Sequence, residues 1–180
     1  MKYIILLMLL ASNIVMAQKY FTKTGLTEFK ASVENFEPIE AKNESTTVIL
    51  NTETGALAAL LFIKAFNFEI ALMQEHFNEN YMDSDKFPKA TFKGLLIDFN
   101  MKNLSSEEKK IKLKGTLTIR GKDKIIDTTV TLKKEQNKIV LTSEFTVKPE
   151  EFNIVIPGIV REKIAKSINL NLHYEFVEKK

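Results

Sequence analysis

The sequence predicts an all-β fold: one antiparallel barrel carrying a short helix. Three observations predict it. From Ile111 to Phe176 apolar and polar residues alternate strand after strand, so each strand has one apolar and one polar face. Turn residues, Gly121 to Asp123 and Gln136-Asn137, separate these strands at hairpin spacing. Finally, about nine strands, several near ten residues long, need a single shared interior. A sandwich would satisfy that count too. The strand length favours a closed barrel, which also removes the exposed edges that a sheet must otherwise blunt.

In chain order, residues 1–17 read as a signal peptide. Lys2 supplies the positive start, Ile4 to Leu10 the apolar stretch, and Val15-Met16-Ala17 the site for a cut before Gln18. The apolar stretch is too short to anchor the chain in a bilayer. The expected product, residues 18–180 as one domain, is exported and soluble, periplasmic or secreted. The 180 residues contain no cysteine. That excludes a lipid-modified cysteine, a disulfide framework, a thiolate metal site and a cysteine nucleophile. Lys and Arg number 26 against 23 Asp and Glu, a formal charge of +3 that falls to about +2 with the loss of Lys2. Interspersed charges of this kind argue against nucleic acid and allow at most a transient contact with a membrane.

Tyr20 to Thr24 and Leu26 to Val33 read as a first strand pair around Gly25. A polar connection containing Pro38 follows, then a strand from Thr46 to Asn51 and a turn near Thr54-Gly55. Ala56 to Phe68 lacks alternation, as expected of a strand covered on both sides. It equally fits a buried helix, and we read it as a strand covered outside by the next element. That element is a helix over Leu72 to Tyr81, with Ile70, Met73, Phe77 and Tyr81 as one apolar stripe. Asp83-Ser84-Asp85 and Pro88 end it, and Ala90 to Gly94 begins a new strand. Strands then cover Ile111 to Arg120, Thr128 to Lys133, Ile139 to Val147 and Ile168 to Phe176. Pro149 breaks the pattern, and a short helix could run from Pro157-Gly158 through Ala165.

Three segments resemble the YceI-like proteins. They are EHFNENYMDSDKFPKATFKG (Glu75 to Gly94), Leu117-Thr118-Ile119-Arg120-Gly121, and Phe145-Thr146-Val147 leading through Glu151-Phe152-Asn153-Ile154 to the last strand. Two departures stand out: Gln74-Glu75 precede His76 where an Arg-Asp pair is usual, and Asn153 stands where the family has glycine. The resemblance implies an elongated lipocalin-like β-barrel with a short helix after the fourth strand. It also implies a bacterial exported protein, of a family whose interior in some members holds a polyprenyl lipid or quinone tail.

The candidate ligand-binding wall is the apolar interior. Strands supply Phe29, Val33, Phe62 and Phe66 from the first half, and the helix supplies Met73 and Phe77. Phe92, Leu113, Leu117, Leu141, Phe145, Leu172 and Tyr174 come from the second half. The same residue types fill any small closed sheet, so the pattern by itself does not separate a lipid cavity from a filled core. Inward Gly115 and Ser143 lower the side-chain volume available for filling. Strands of about eleven residues tilted by about 40° give a barrel ~28 Å tall.

His76, with His173 the only other histidine, has no companions for metal binding or base catalysis and reads as structural. Asp83 and Asp85 read as turn formers. Arg120 and Lys122 read as a solvated hairpin end, with a phosphate contact the less favoured alternative. No nucleophile elbow, phosphate loop, zinc-protease helix or dinucleotide fingerprint occurs, so neither an enzyme nor a cofactor is expected. The reading is an exported barrel that binds an isoprenoid, quinone-type or other long-chain lipid for transport, storage or sequestration. The alternative is a filled barrel acting through protein contacts in envelope stress or adhesion.

Overall fold

The computed structural model describes residues 19–179; the expected signal peptide, 1–17, lies outside the described residues. The strands are β1 (Lys19–Ser32), β2 (Glu40–Asn51), β3 (Ala56–Phe62), β4 (Asn67–Phe68), β5 (Lys89–Leu96), β6 (Lys109–Ile119), β7 (Lys122–Glu135), β8 (Lys138–Val147) and β9 (Ile164–Glu178). They pair in the order β1-β9-β8-β7-β6-β5-β3-β2, every pair antiparallel, and β2 returns to β1. The two-residue β4 pairs with β2 on the same edge as β3. It therefore continues the β3 stave beyond a kink at Ile63–Ala65. The result is an eight-stave closed antiparallel barrel with one short helix after β4, the fold class the sequence predicts.

Alternation along the staves decides which way each residue faces. In β6, Ile111, Leu113 and Leu117 are buried while Lys110, Lys112 and Lys114 are exposed. The β6–β7 hairpin turns on Arg120 and Gly121, both at positive φ (49° and 70°), the geometry whose twist matches that of paired strands. Gln136 plays the same part in β7–β8 with φ 52°.

Antiparallel order places the connections at alternate ends. One end carries the β2–β3 turn, the β7–β8 hairpin and the segment from Ile97 to Glu108, which folds back across the opening. Phe99, Met101 and Leu104 of that segment pack onto a cluster that includes Tyr20, Val48, Leu50, Leu132, Ile139 and Phe176. This half is filled: Val48, Leu50, Leu132, Ile139 and Phe176 are all fully buried. The other end carries the longer insertions, residues 63–88 and 148–163.

Four local expectations are corrected. Gly25 is not a turn: β1 runs through it as one strand, with register shifts on either side. A Cβ there would lie 2.6 Å from the Tyr174 ring, so glycine admits that ring rather than reversing the chain. The outer face of β3 is uncovered, with Ala56, Ala58 and Phe62 exposed, because the following helix lies across the barrel mouth. The segment after Pro157 makes only a single 3₁₀ turn, Gly158–Val160, and β9 has begun by Ile164. Gly115 opens no void, because the Phe92 ring lies over it and over Gly94, within 2.6 Å of where either Cβ would stand.

Candidate ligand cavity

Between the filled half and the mouth lies a cavity of about 460 Å³. Its depth comes from the register. Tyr174 stands at its floor and Ile164 at its rim on β9. At ~3.3 Å per residue and a tilt of ~40° these are ~25 Å apart. At ~30 Å³ per water-sized unit, the volume corresponds to about fifteen such units.

The floor is the polar part of the interior. Tyr174 Oη and Thr27 Oγ1 are 2.9 Å apart, and Thr27 Oγ1 and Thr46 Oγ1 are also 2.9 Å apart, a buried chain of three hydroxyls. Burial pushes the Tyr174 phenol up to about 12, with the Thr27 hydrogen bond pulling weakly the other way. A buried phenol stays neutral because its anion would lose hydration that no cation here replaces. Above the floor the wall is carbon: Leu113, Leu117, Phe92, Leu141, Phe145 and Leu172 from the staves.

At the mouth four phenylalanines close on one another. Phe77 stacks on Phe29 at 5.3 Å, meets Phe68 at 5.1 Å and Phe66 at 5.6 Å, and Phe29 meets Phe66 at 5.3 Å. Offset and edge-to-face pairs at these distances add ~0.5–1.5 kcal/mol each beyond burial. Phe77 arrives on α1 (Ala71–His76), whose last turn widens into a π turn over Phe77–Tyr81. That widening, closed by the Met82 amide donating to the Phe77 carbonyl at 2.9 Å, lets Met73, Phe77 and Tyr81 all reach the cavity. The helix has no side-chain N-cap and no fully buried residue. Its tether to the barrel beyond the apolar stripe is the Gln74 side chain, which accepts the Phe68 amide at 3.3 Å.

Eleven of the thirteen wall residues named from the sequence line this cavity: Phe29, Phe66, Met73, Phe77, Phe92, Leu113, Leu117, Leu141, Phe145, Leu172 and Tyr174. Two do not. Val33 lies past the end of β1, outside the alternation that turns Phe29 and Ala31 inward. Phe62 faces outward at 49% exposure, with the Lys89 ammonium 5.2 Å from its ring; the kink after it is what turns Phe66 inward. Ser143 donates to the Thr129 carbonyl at 3.1 Å instead of lining the cavity. Sequence reasoning missed Ala31, Ile39, Ile63, Ile154, Ile156 and Ile168 on the wall. Several of these sit in connections where no alternation marks a face.

The polar candidates take other places. His76 is exposed at the rim. Among the described residues no group of three or more His, Asp or Glu is placed to hold a metal ion. Asp83, at φ 48°, accepts the amides of Lys86 and Phe87 through its carbonyl, and Asp85 pairs with Lys64 at 2.6 Å. Arg120 is not a solvated end. Its guanidinium donates to the Asn153 carbonyl and sits 5.8 Å over the Phe87 ring, while Phe87 packs on Gly121. The three segments that resemble the YceI-like proteins therefore meet in space, at Phe87, Arg120-Gly121 and Asn153. Asn153 holds φ 56°, a left-handed position that asparagine tolerates, which explains its standing in place of glycine.

The family model described as YceI-like domain matches residues 12–176. Among curated proteins, none matches in sequence. Solved structures share the fold, among them the following three. A polyisoprenoid binding domain from Saccharophagus degradans, implicated in plant cell wall breakdown, superposes with a TM-score of 0.77 at 12% identity, covering 89% of this chain and 98% of its own. BcnA of Burkholderia cenocepacia gives 0.69 at 15% identity, over 84% and 96%. The YCEI protein of Campylobacter jejuni gives 0.64 at 19%, over 82% and 89%.

Proposed function

Because the chain belongs to the YceI-like domain family, we propose that it binds one isoprenoid or quinone-type lipid chain in this cavity and carries, stores or sequesters it. The observation that carries the reading is the cavity itself: about 460 Å³ with walls of carbon, closed below by the hydroxyl chain and crossed above by a helix. A filled barrel working only through its surface has no use for such a space. About fifteen buried carbons at ~0.8 kcal/mol each contribute ~12 kcal/mol. Against an association cost at the low end of its range, ~4 kcal/mol, the remainder corresponds to micromolar binding without a polar anchor. The signal peptide read in residues 1–17 would place this container outside the cytoplasm.

The test is native mass spectrometry of the protein purified from its exported fraction without detergent, followed by lipid extraction. One bound apolar chain per protein is expected. Phe77→Gln should weaken retention of that lipid more than it weakens folding, and equal losses of both would make the stripe core only. Repeated recovery of empty protein across growth conditions would overturn the reading.

A further inference from the structure

We propose that the loop from Ile154 to Lys163, together with the first residues of β9, is a docking edge that seats the cavity mouth on an anionic phospholipid bilayer; the inference rests on the lipid-carrier reading above. The loop has two apolar faces. Ile154, Ile156, Val160 and Ile164 turn inward and form part of the cavity wall. Val155 and Ile159 turn outward, 78% and 91% exposed. A Cβ built on Gly158, between them, would meet nothing within 4 Å, so the apex stands clear of the barrel. Single exposed apolar residues are ordinary on protein surfaces. Two on one projecting apex, continuous with a lipid-sized cavity through their neighbours, are not.

Charge selects the partner. Arg161 and Lys163 on the loop and Lys166 near the start of β9 are exposed, against one acid between them, Glu162; Lys163 also borders the cavity, and none of the three cations is ion-paired among the described residues. Two other segments at the mouth are acidic, with Glu34 and Glu37 in residues 33–39 and Glu69, Glu75 and Glu79 in residues 69–79. Apolar side chains flanked by cations are the composition that settles at an anionic lipid interface. The acidic segments would be held off the same surface, so contact is one-sided. A chain leaving the bilayer beside Val155 and Ile159 reaches Ile156 and Val160 one residue further along, already inside the wall.

The experiment is sedimentation of the protein with phosphatidylcholine vesicles and with vesicles that also contain phosphatidylglycerol. A parallel assay follows uptake of a dansyl-labelled farnesol from vesicle-free solution. Wild type is expected to co-sediment with the anionic vesicles and to release as salt is raised. Val155→Ser with Ile159→Ser, at exposed positions that do not support the core, should lower the bound fraction about tenfold with farnesol uptake unchanged. Arg161→Gln with Lys166→Gln should remove the preference for anionic vesicles. Wild type that takes up farnesol but sediments with no vesicle would overturn the proposal in favour of a protein partner at this loop. Undiminished vesicle binding by the serine variant would overturn it as well. Failure of wild type to take up farnesol counts against the carrier reading instead, while sedimentation still reports on docking.

Discussion

The two halves of the barrel are built from the same staves and nearly the same residue types, yet one is solid and the other hollow. At the filled end, aliphatic side chains of moderate size interdigitate, and Phe99, Met101 and Leu104 fold across the opening to complete the packing. At the mouth, closure is left to α1 and its π turn. Four phenylalanine rings pack edge-on and stacked against each other there, above the cavity rather than in it. Hydrophobic pattern thus decides only which face of a strand looks inward. Whether the interior is filled depends on what crosses each end of the barrel.

Truncation in each half tests this difference most directly. Phe176→Ala, at a fully buried position, should cost about 3–5 kcal/mol in denaturant unfolding. Phe77→Ala, on the uncapped helix, should cost less than Phe176→Ala, since its ring is only half-buried and borders space that already exists. Equal losses would mean that the mouth is as tightly packed as the filled end.

How far this division could be read beforehand varies along the chain. The β6 to β9 staves were legible because their alternation is unbroken, and with them the inward Leu113, Leu117, Leu141, Phe145, Leu172 and Tyr174. Gly25 misled because glycine signals a turn locally, whereas its reason lies in the Tyr174 ring, which the fold brings to it from the last strand. Phe62 misled because a kink in a continuous apolar run reverses the facing of the residues beyond it, and no local residue marks the kink. Arg120 reached across 33 positions to Asn153, a contact that spacing does not carry. Alternation alone could not tell a cavity from a filled core, because lipid and side chains are alike in what they ask of a wall; only the resemblance pointed to a hollow interior.

The hydroxyl chain marks the boundary between the halves, and pH probes it. The Tyr174 phenol stands at about 12 against an ordinary 10.0. Raised in the folded state, it contributes stability that is complete below pH 10 and is lost as pH climbs toward 12, when the unfolded chain ionises first. The loss amounts to about 3 kcal/mol. Melting temperatures followed through that window should fall more steeply for wild type than for Tyr174→Phe; parallel curves would show the phenol to be wet.

The smallest expected effect lies at the waist of the cavity. In Gly115→Ala the new Cβ would stand 2.4 Å from the Lys93 carbonyl and 2.6 Å from the Phe92 ring. We expect a loss of about 1–3 kcal/mol, accompanied by displacement of Phe92 into the cavity and lower lipid capacity. Stability lost with capacity unchanged would place the strain in the backbone alone.

The boundary between the halves has one more property, which concerns time. Thr27 and Tyr174, whose hydroxyls make the floor, lie 147 positions apart, and β1 meets β9 along the same seam. Loop closure over that distance comes late, since every intervening stave must be in place before it is rewarded. Until β9 docks, β1 is held only by β2 and the interior faces water as an open trough. The container is therefore closed only after the final strand has been delivered, and the proposed loading would belong to the finished chain rather than to a nascent one.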